Sequence, residues 1–430
     1  MSSKMRLLFV LTVTVIALSL LANVVIFRAS TAQAQGSGKV RVATWDSGDG
    51  LEPWNKVVEG FEAAYPDIDV ELEAIPQEYG TKLLANMAAG TGPDVYQVGD
   101  GDVAKFVAQG IVEPLDPFIT GENGFDLTAT FFPAVAAFGQ INGETYLLTK
   151  DYSPLVLFYN KDLFDDAGIE YPTAEWTWDD FLTAAQALTK DGRWGIQLPN
   201  GWGDWLWDRG IYPIVVENGG RFISEDGTTV EGVLNSPETV AAVQWYVDLF
   251  LKEKVAPTNA DVASFSGADL FTSGQVAMLW TGRWPLSGYK DIDGFNFGTI
   301  GLPTGPASKG NTLCWSGFAM NSASENKEAA WTFMKYLAAG EGAAAFAEYA
   351  FTAVQSVAEA QGLADDAYDG PIVADLENAV PIPDSYSQYY GECVATPFKA
   401  HLEEVFLAGA SVQDAMDAAA AEAQECLDGK

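Results

Sequence analysis

Three tryptophans in one loop are the side chains that most clearly suggest ligand binding in this sequence. Trp202, Trp205 and Trp207 occur in a stretch broken by Gly201 and Gly203, and binding residues concentrate on such loops. A spacing of two points Trp205 and Trp207 to the same side of an extended chain. Sugars present flat apolar faces ringed by hydroxyl groups, so aromatic platforms beside polar side chains suit them. Packing of these rings in the core is the alternative.

The remaining candidates for ligand binding follow predicted strands or lie in irregular segments. They are Trp45 and Asp46 after the first strand, Tyr79 at the start of the second helix, Asp100 after the third strand, Asp151 and Tyr152 in a polar break, Arg283 and Trp284 after a short strand, Trp315 within a late strand, and Tyr386 in a cluster of tyrosines. Charged groups that pair with buried hydroxyls discriminate strongly, because the wrong ligand leaves them unpaired. A solvated turn for Arg283 and simple packing for Tyr386 remain equally open.

The residue types argue against catalysis and against a bound metal or cofactor. The single histidine, His401, falls in a helical run and is badly placed to serve a nucleophile. His/Cys clusters at metal-ligand spacing, a calcium loop and a phosphate-binding glycine loop are all missing from the sequence. Two carboxylates acting in glycoside hydrolysis are the one catalytic alternative in so acidic a chain. We therefore predict a binding protein without cofactor or metal.

The length of the chain predicts two lobes, and its charge predicts that it does not bind nucleic acid or anionic membranes. A chain of 430 residues is too long for one ordinary core. The formal net charge of -36 argues against nucleic acid and anionic membrane as partners, since phosphate binding needs a basic face. Solubility explains such acidity most simply, and the charge carries no information about the fold.

The N-terminal segment has the features of an export signal. Basic residues precede a long apolar run, and Ala32 and Ala34 form a small-residue cleavage site. The run is also long enough to span a bilayer, so an uncleaved anchor is the alternative. Either way we expect the chain to be exported to the periplasm or the cell exterior. In that oxidising compartment Cys314, Cys393 and Cys426 allow one disulfide, for example between the last two, whose pairing the sequence does not establish.

The order of strand and helix patterns predicts how these candidates are positioned. Strands at 39–44, 68–75 and 93–98 alternate with helices at 51–64 and 79–89. This alternation is typical of a parallel sheet covered by helices, where ligands lie at the carboxyl ends of the strands. Apolar runs on both sides of Lys150–Pro154 predict two strands separated by a crossing, and Thr177 predicts the start of a helix. Because the sequence has no linker after residue 40, the two lobes must be interleaved.

Four segments carry a resemblance to a known family. They are Gly90–Val95 with Gly110–Asp116, Tyr159–Phe164 with Ala167–Gly168 and Thr177–Trp178, Phe271–Trp284, and Asn326–Ala330. In this order they are similar to patterns of the extracellular solute-binding proteins of ATP-binding-cassette (ABC) importers, in the carbohydrate-binding family that includes maltose-binding protein. The resemblance covers residues 39 to about 350, whereas residues 351–390 match no pattern of that family.

The resemblance implies a two-lobed α/β fold of the periplasmic-binding-protein type. Each lobe would hold a mostly parallel sheet flanked by helices, with three hinge crossings between the lobes. Residues 1–34 would be a signal peptide, 39–152 and 295–338 the first lobe, and 153–294 and 339–430 the second. The crossings would fall at 151–153, near 293–297 and after the strand at 312–320. Trp284 matches the tryptophan that stacks on ligand in the family, which also contacts ligand near Trp45 and Asp46.

The function implied is that of a monomeric receptor without enzymatic activity. It would capture a mono- or oligosaccharide between closing lobes and deliver it to the permease subunits of an ABC importer. A polyamine or other cationic solute is the alternative ligand, because aromatic rings with carboxylates also bind cations. A ferric ligand held by the tyrosine cluster is a further and less favoured hypothesis.

Overall fold

The computed structural model describes residues 38–141, 143–198, 206–265, 269–347, 351–380, 382–383 and 387–430. In these ranges the strands are β1 (Gly38–Thr44), β2 (Ile68–Ala74), β3 (Val95–Gly99), β4 (Gln140–Ile141), β5 (Glu144–Thr145), β6 (Leu147–Asn160), β7 (Trp194–Gln197), β8 (Val276–Gly282), β9 (Phe297–Ile300), β10 (Asn311–Met320), β11 (Phe351–Thr352) and β12 (Ala379–Val380).

The α-helices of the described residues surround these strands. They are α1 (Glu52–Ala64), α2 (Tyr79–Ala88), α3 (Val103–Ala108), α4 (Asp116–Ile119), α5 (Leu127–Thr130), α6 (Pro133–Ala136), α7 (Lys161–Ala167), α8 (Trp178–Leu188), α9 (Asp208–Glu217), α10 (Pro237–Leu251), α11 (Asn259–Ala263), α12 (Leu286–Lys290), α13 (Lys327–Ala339), α14 (Gly342–Phe346), α15 (Gln355–Gln361), α16 (Asp369–Asp375), α17 (Thr396–Ala408) and α18 (Val412–Asp428). A π-helical turn, Tyr390–Ala395, precedes α17.

One long sheet runs through the molecule. Its strand order is β2-β1-β3-β10-β6-β8-β7, with β9 and β11 also paired to β6, and β12 to β10. β1 is parallel to both β2 and β3, and β7 is parallel to β8. β10 runs antiparallel to β3 and β6, and β6 antiparallel to β8. The alternating order at the start of the chain therefore forms the parallel sheet that the sequence predicts.

Two main hydrophobic cores pack on different parts of this sheet. The first includes Trp54 of α1 and Trp331 of α13. The second joins Trp280 of β8, Tyr246 of α10 and Met416 of α18. Burial of large aromatic rings supplies much of the stabilisation of such cores, about 1.5–3 kcal/mol for each fully buried apolar side chain. The two cores mark the two lobes.

β6 and β10 carry the chain between the lobes. The first half of β6, Leu147–Asp151, pairs with Ser316–Ala319 of β10, and β10 pairs in turn with β3. The second half of β6, Leu155–Asn160, pairs with β8 and β9. The crossing expected at 151–153 therefore lies inside one continuous strand. β9 pairs with the second half of β6, so we propose that the crossing expected near 293–297 lies instead in β10.

The residues after α13 contact both lobes. α14 lies against α1 in the first lobe, and α15 lies near α5. β11 then pairs with Asp151 and Tyr152 at the crossing, and α16 packs near β9 in the second lobe. We propose that residues 342–361 extend the first lobe and that residues 297–312 belong to the second.

Local features of the second lobe agree with the sequence. The Thr177 hydroxyl accepts a hydrogen bond from the Asp180 backbone N–H, and the Asp180 carboxylate accepts one from the Thr177 backbone, which caps α8 as predicted. Cys393 and Cys426 form a disulfide between the π-helical turn and α18. Among the described residues we find no helix of sufficient length and apolar character to cross a membrane.

Candidate functional site

The first-lobe part of the site forms where β1 and β3 end. Because these strands are parallel neighbours, the residues that follow them meet at one edge of the sheet. Trp45 follows β1 and packs edge-on against Tyr79, with ring centroids 5.4 Å apart. The Tyr79 hydroxyl donates to the backbone oxygen of Gln97 at 2.9 Å, and burial raises the pKa of Tyr79 well above its usual value. The Trp45 ring is thus held in place, partly exposed, by a neutral tyrosine.

Asp46, predicted to bind ligand, is held in place by hydrogen bonds from the core of the first lobe. Its Oδ2 accepts a hydrogen bond of 2.7 Å from the indole N–H of Trp54, whose side chain is fully buried. The Thr44 hydroxyl lies 3.0 Å from the same oxygen and 2.6 Å from Oε1 of Gln97. Asp46 is therefore oriented by the core, and its carboxylate is only partly exposed.

A β-bulge at the lobe crossing shapes the middle of the site. Ser316 of β10 pairs with Asp151, but Gly317 pairs with Thr149, so Lys150 is an extra residue on β6. Bulges of this kind redirect side chains and occur near functional sites. The Lys150 ammonium lies 3.0 Å from Oδ2 of Asp151, and only 10% of its side chain is exposed. Burial alone would lower the pKa of Lys150, but the nearby carboxylates of Asp151 and Asp46 raise it overall.

Hydrogen bonds link Asp151 to the edge of the first lobe. Oδ1 of Asp151 accepts from the Ser316 hydroxyl at 2.6 Å, and Nε2 of Gln97 lies 3.4 Å from that hydroxyl. Since Gln97 also contacts Thr44, the two predicted carboxylates, Asp46 and Asp151, belong to one polar network. Sequence reasoning did not assign a role to Lys150, Gln97 or Ser316. Their partners lie far away in sequence, and the only available signal was three polar residues in strand-like segments.

Two other aromatic residues predicted to bind ligand, Trp315 and Tyr152, have structural partners. The Trp315 ring stacks on Phe138 with centroids 5.3 Å apart. Tyr152 packs against Phe351 of β11, with centroids 5.8 Å apart, and burial raises its pKa. The backbone N–H of Trp315 donates to Oδ2 of Asp100 at 3.2 Å, so the hinge strand β10 positions that predicted carboxylate.

The second-lobe part of the site is a pair of tryptophans. The rings of Trp207 and Trp284 pack edge-on with centroids 6.3 Å apart, and both are partly exposed. Gly282 makes room for this arrangement, because a Cβ at that position would lie 1.8 Å from the Trp284 ring. The G-x-W spacing therefore has a steric reason in addition to the predicted ligand contact.

Arg283 lies beside Trp284 but is turned away from it. Its side chain is 5% exposed, and Nε and Nη2 donate to the two carboxylate oxygens of Asp369 in α16. Its backbone N–H donates to the Ser153 hydroxyl at 2.8 Å. The guanidinium group thus ties the turn after β8 to α16 within the second lobe, and a ligand contact from Arg283 stays a prediction.

An ion pair shows that the two parts of the site face each other. Nη1 of Arg209, two residues after Trp207, lies 3.6 Å from Oδ1 of Asp100, which follows β3 in the first lobe. The start of α9 is therefore opposite the edge where β1 and β3 end. Each lobe therefore carries aromatic rings near a segment that takes part in this contact, Trp45 beside the ends of β1 and β3 and Trp207 beside the start of α9.

Some of the predicted site lies outside the described residues. These residues are Trp202, Trp205 and Tyr386. Of the neighbouring tyrosines, Tyr390 is buried and its hydroxyl donates to Oδ2 of Asp208 at 2.8 Å, so it is part of the core. In the part of the chain that the structure describes, no group of three or more His, Cys, Asp or Glu side chains is arranged to hold a metal ion.

Comparison of the sequence with known proteins gives a consistent family. The model of the family described as bacterial extracellular solute-binding protein matches residues 45–344. A putative binding protein of Brucella abortus is 28% identical over 330 residues, which cover 74% of this chain and 76% of the relative. The maltotriose-binding protein of Pyrococcus abyssi is 24% identical over 311 residues, covering 70% of this chain and 62% of the relative.

Solved structures show the same fold. An ABC substrate-binding protein of Listeria monocytogenes, in complex with cycloalternan, has a TM-score of 0.82 at 25% identity and covers 91% of this chain and 99% of that one. The maltose-bound MalE3 of T. maritima has a TM-score of 0.78 at 25% identity, with 90% and 99% covered. The two-lobed α/β fold predicted from the sequence is thereby confirmed.

Proposed function

The chain belongs to the family of bacterial extracellular solute-binding proteins, and from this premise we propose that it is the receptor of an ABC sugar importer. It captures a mono- or oligosaccharide between its two lobes and delivers it to membrane permease subunits. The family consists of exported binding proteins and not of enzymes. We further propose that the receptor is monomeric and that residues 1–34 are removed on export.

What supports this proposal is that each lobe carries a pair of aromatic rings and that a carboxylate lies at the crossing between the lobes. Trp45 with Tyr79 comes from one lobe, and Trp207 with Trp284 comes from the other. Asp151 lies at the crossing between them. Aromatic faces stack on the apolar faces of sugar rings, while carboxylates accept hydrogen bonds from their hydroxyl groups.

Closure follows from the placement of these groups in both lobes. A ligand that contacts both lobes binds the closed form better than the open form and shifts the equilibrium toward it. Similar proteins are named for maltotriose or hold cycloalternan or maltose in their structures. These names favour an oligosaccharide as the ligand of this receptor.

Calorimetric titration against a small panel tests the proposal. The panel contains maltose, maltotriose and cycloalternan, with spermidine as the cationic alternative and glycerophosphocholine as a phosphate ester. We expect heat of binding from at least one saccharide and none from spermidine. Tight binding of spermidine alone would refute the sugar receptor and establish the cationic ligand.

A pair of tryptophan variants locates the binding. Trp284→Ala removes a partly exposed ring of the cleft and should weaken saccharide binding at least about tenfold, as expected of a central aromatic contact. Trp194→Ala is the matched control, because Trp194 begins β7 at the strand's amino end and packs against Phe265. Equal affinities of the two variants for the saccharide would show that Trp284 does not contribute to ligand binding.

A further inference from the structure

Gly101 of the first lobe and Arg209 of the second lobe lie close together. The guanidinium of Arg209 lies over Gly101, and a Cβ added there would be 1.8 Å from Nη2 and 2.8 Å from Cζ. Gly101 does not have a positive φ, so its backbone does not require glycine. The requirement for a small residue arises only from the side chain that arrives from the opposite lobe.

Both residues of the ion pair, Arg209 and Asp100, form hydrogen bonds with the hinge strand β10. Asp100 donates its backbone N–H to the Trp315 oxygen and accepts from the Trp315 N–H, each at 3.2 Å. The Thr312 hydroxyl lies 3.4 Å from the backbone oxygen of Arg209. Thr312 and Trp315 belong to β10, which passes from one lobe to the other. Bending of β10 between these two residues would separate the charged groups.

The pair is also shielded from water, which increases its strength. The side chain of Arg209 is 20% exposed and that of Asp100 is 11% exposed. Charges that are partly buried are screened less by salt than charges on the surface. In a chain of net charge -36, a cation between the lobes also reduces the repulsion that opposes closure.

We infer that Arg209 is a closure residue, which binds Asp100 only when the lobes are closed and which fits because residue 101 has no side chain. This inference rests on the proposed function in that it assumes two lobes that open and close. It assigns Asp100 to lobe-to-lobe binding, where the sequence suggested a ligand contact. The pair favours the closed form before any ligand arrives, and the ligand then needs less binding energy to complete closure.

Small-angle X-ray scattering of the ligand-free protein tests this without knowledge of the ligand. Gly101→Ala pushes the guanidinium away from Asp100, and Arg209→Gln removes its charge. Both variants should have a larger radius of gyration than wild type, with the ratio of closed to open molecules lowered about fivefold or more, the usual scale of coupling between conformations. Gly288→Ala is the matched control, because a Cβ there meets nothing within 4 Å and its φ is not positive.

The outcomes separate the inference from the proposed function. Equal radii for wild type, Gly101→Ala and Arg209→Gln overturn the closure role, even if every variant becomes compact with saccharide. Larger radii for Gly101→Ala and Arg209→Gln, with no change for Gly288→Ala, support the closure role. This holds even if no saccharide binds and the receptor assignment fails. Gly101→Ala should unfold at the same temperature as wild type, since Gly101 has ordinary backbone geometry. A larger radius accompanied by a lower unfolding temperature would show a general loss of structure and overturn the closure role.

Discussion

Glu217 links the stability of the second lobe to pH. It ends α9, is fully buried, and its Oε2 accepts a hydrogen bond of 2.7 Å from the indole N–H of Trp178. Burial raises the pKa of Glu217 well above its usual value, and the nearby carboxylate of Asp375 raises it further, although the Trp178 hydrogen bond opposes this. The folded protein therefore binds a proton at Glu217 more tightly than the unfolded chain does.

The direction of the effect follows from this difference in proton binding. Below the unfolded pKa of about 4.3 both states are protonated, and the stabilisation from Glu217 is fully present. As the pH rises toward the folded pKa, the unfolded chain loses its proton first, so the free energy of unfolding falls by up to about 1.4 kcal/mol per pH unit. Glu217→Gln keeps an acceptor for Trp178 and cannot ionise, so it should not show this fall.

Urea unfolding of wild type and Glu217→Gln between pH 4 and pH 8 measures the effect. The difference in unfolding free energy between them should grow with pH in favour of the glutamine variant. Glu170→Gln, at an exposed position, controls for the loss of one negative charge. A difference that does not change with pH would refute the buried, neutral carboxyl group.

Two further predictions concern the crossing and the tail. Lys150→Met leaves the partly buried Asp151 without its ammonium partner and should lower the unfolding free energy, measured by urea titration, by about 3–5 kcal/mol. Lys150→Arg keeps the positive charge and should retain most of the wild-type stability. Equal stability of Lys150→Met and wild type would contradict the bulge network. Replacing both Cys393 and Cys426 by Ser should lower the unfolding free energy by about 2–4 kcal/mol, and a wild-type protein insensitive to reductant would argue against a stabilising role for this disulfide.

The sequence predicted the architecture well because local patterns determine it. The alternation of residues 39–98, the N-cap at Thr177 and the apolar β8 each form the element expected. The crossing at Lys150–Pro154 was also located, but as a break between two strands. The segment is one strand, because β6 keeps its pairing with β10 on both sides of the bulge at Lys150. The opposite charges of Lys150 and Asp151 also neutralise each other.

The parts that the sequence did not predict depend on distant partners. β11 and β12 are two-residue strands that exist only by pairing with β6 and β10, so no periodic pattern marks them. For Arg283 the sequence left ligand contact and a solvated turn open, and it did not predict the pairing with Asp369, which is 86 residues away in sequence. Ser316, Gln97 and Arg209 have partners of the same remote kind, and a single sequence does not reveal such pairs.

The assembly of the second core has a consequence for the order of folding. That core combines Leu155–Leu302 with residues from Tyr390 to Ala423 near the end of the chain. During synthesis, the apolar faces that α17 and α18 cover stay exposed until residues 390–423 emerge. Contacts between such distant segments slow folding, because the intervening chain must first be ordered. The second lobe is therefore expected to reach its native state only after residues 390–423 have been synthesised, and it is the lobe most exposed to aggregation until then.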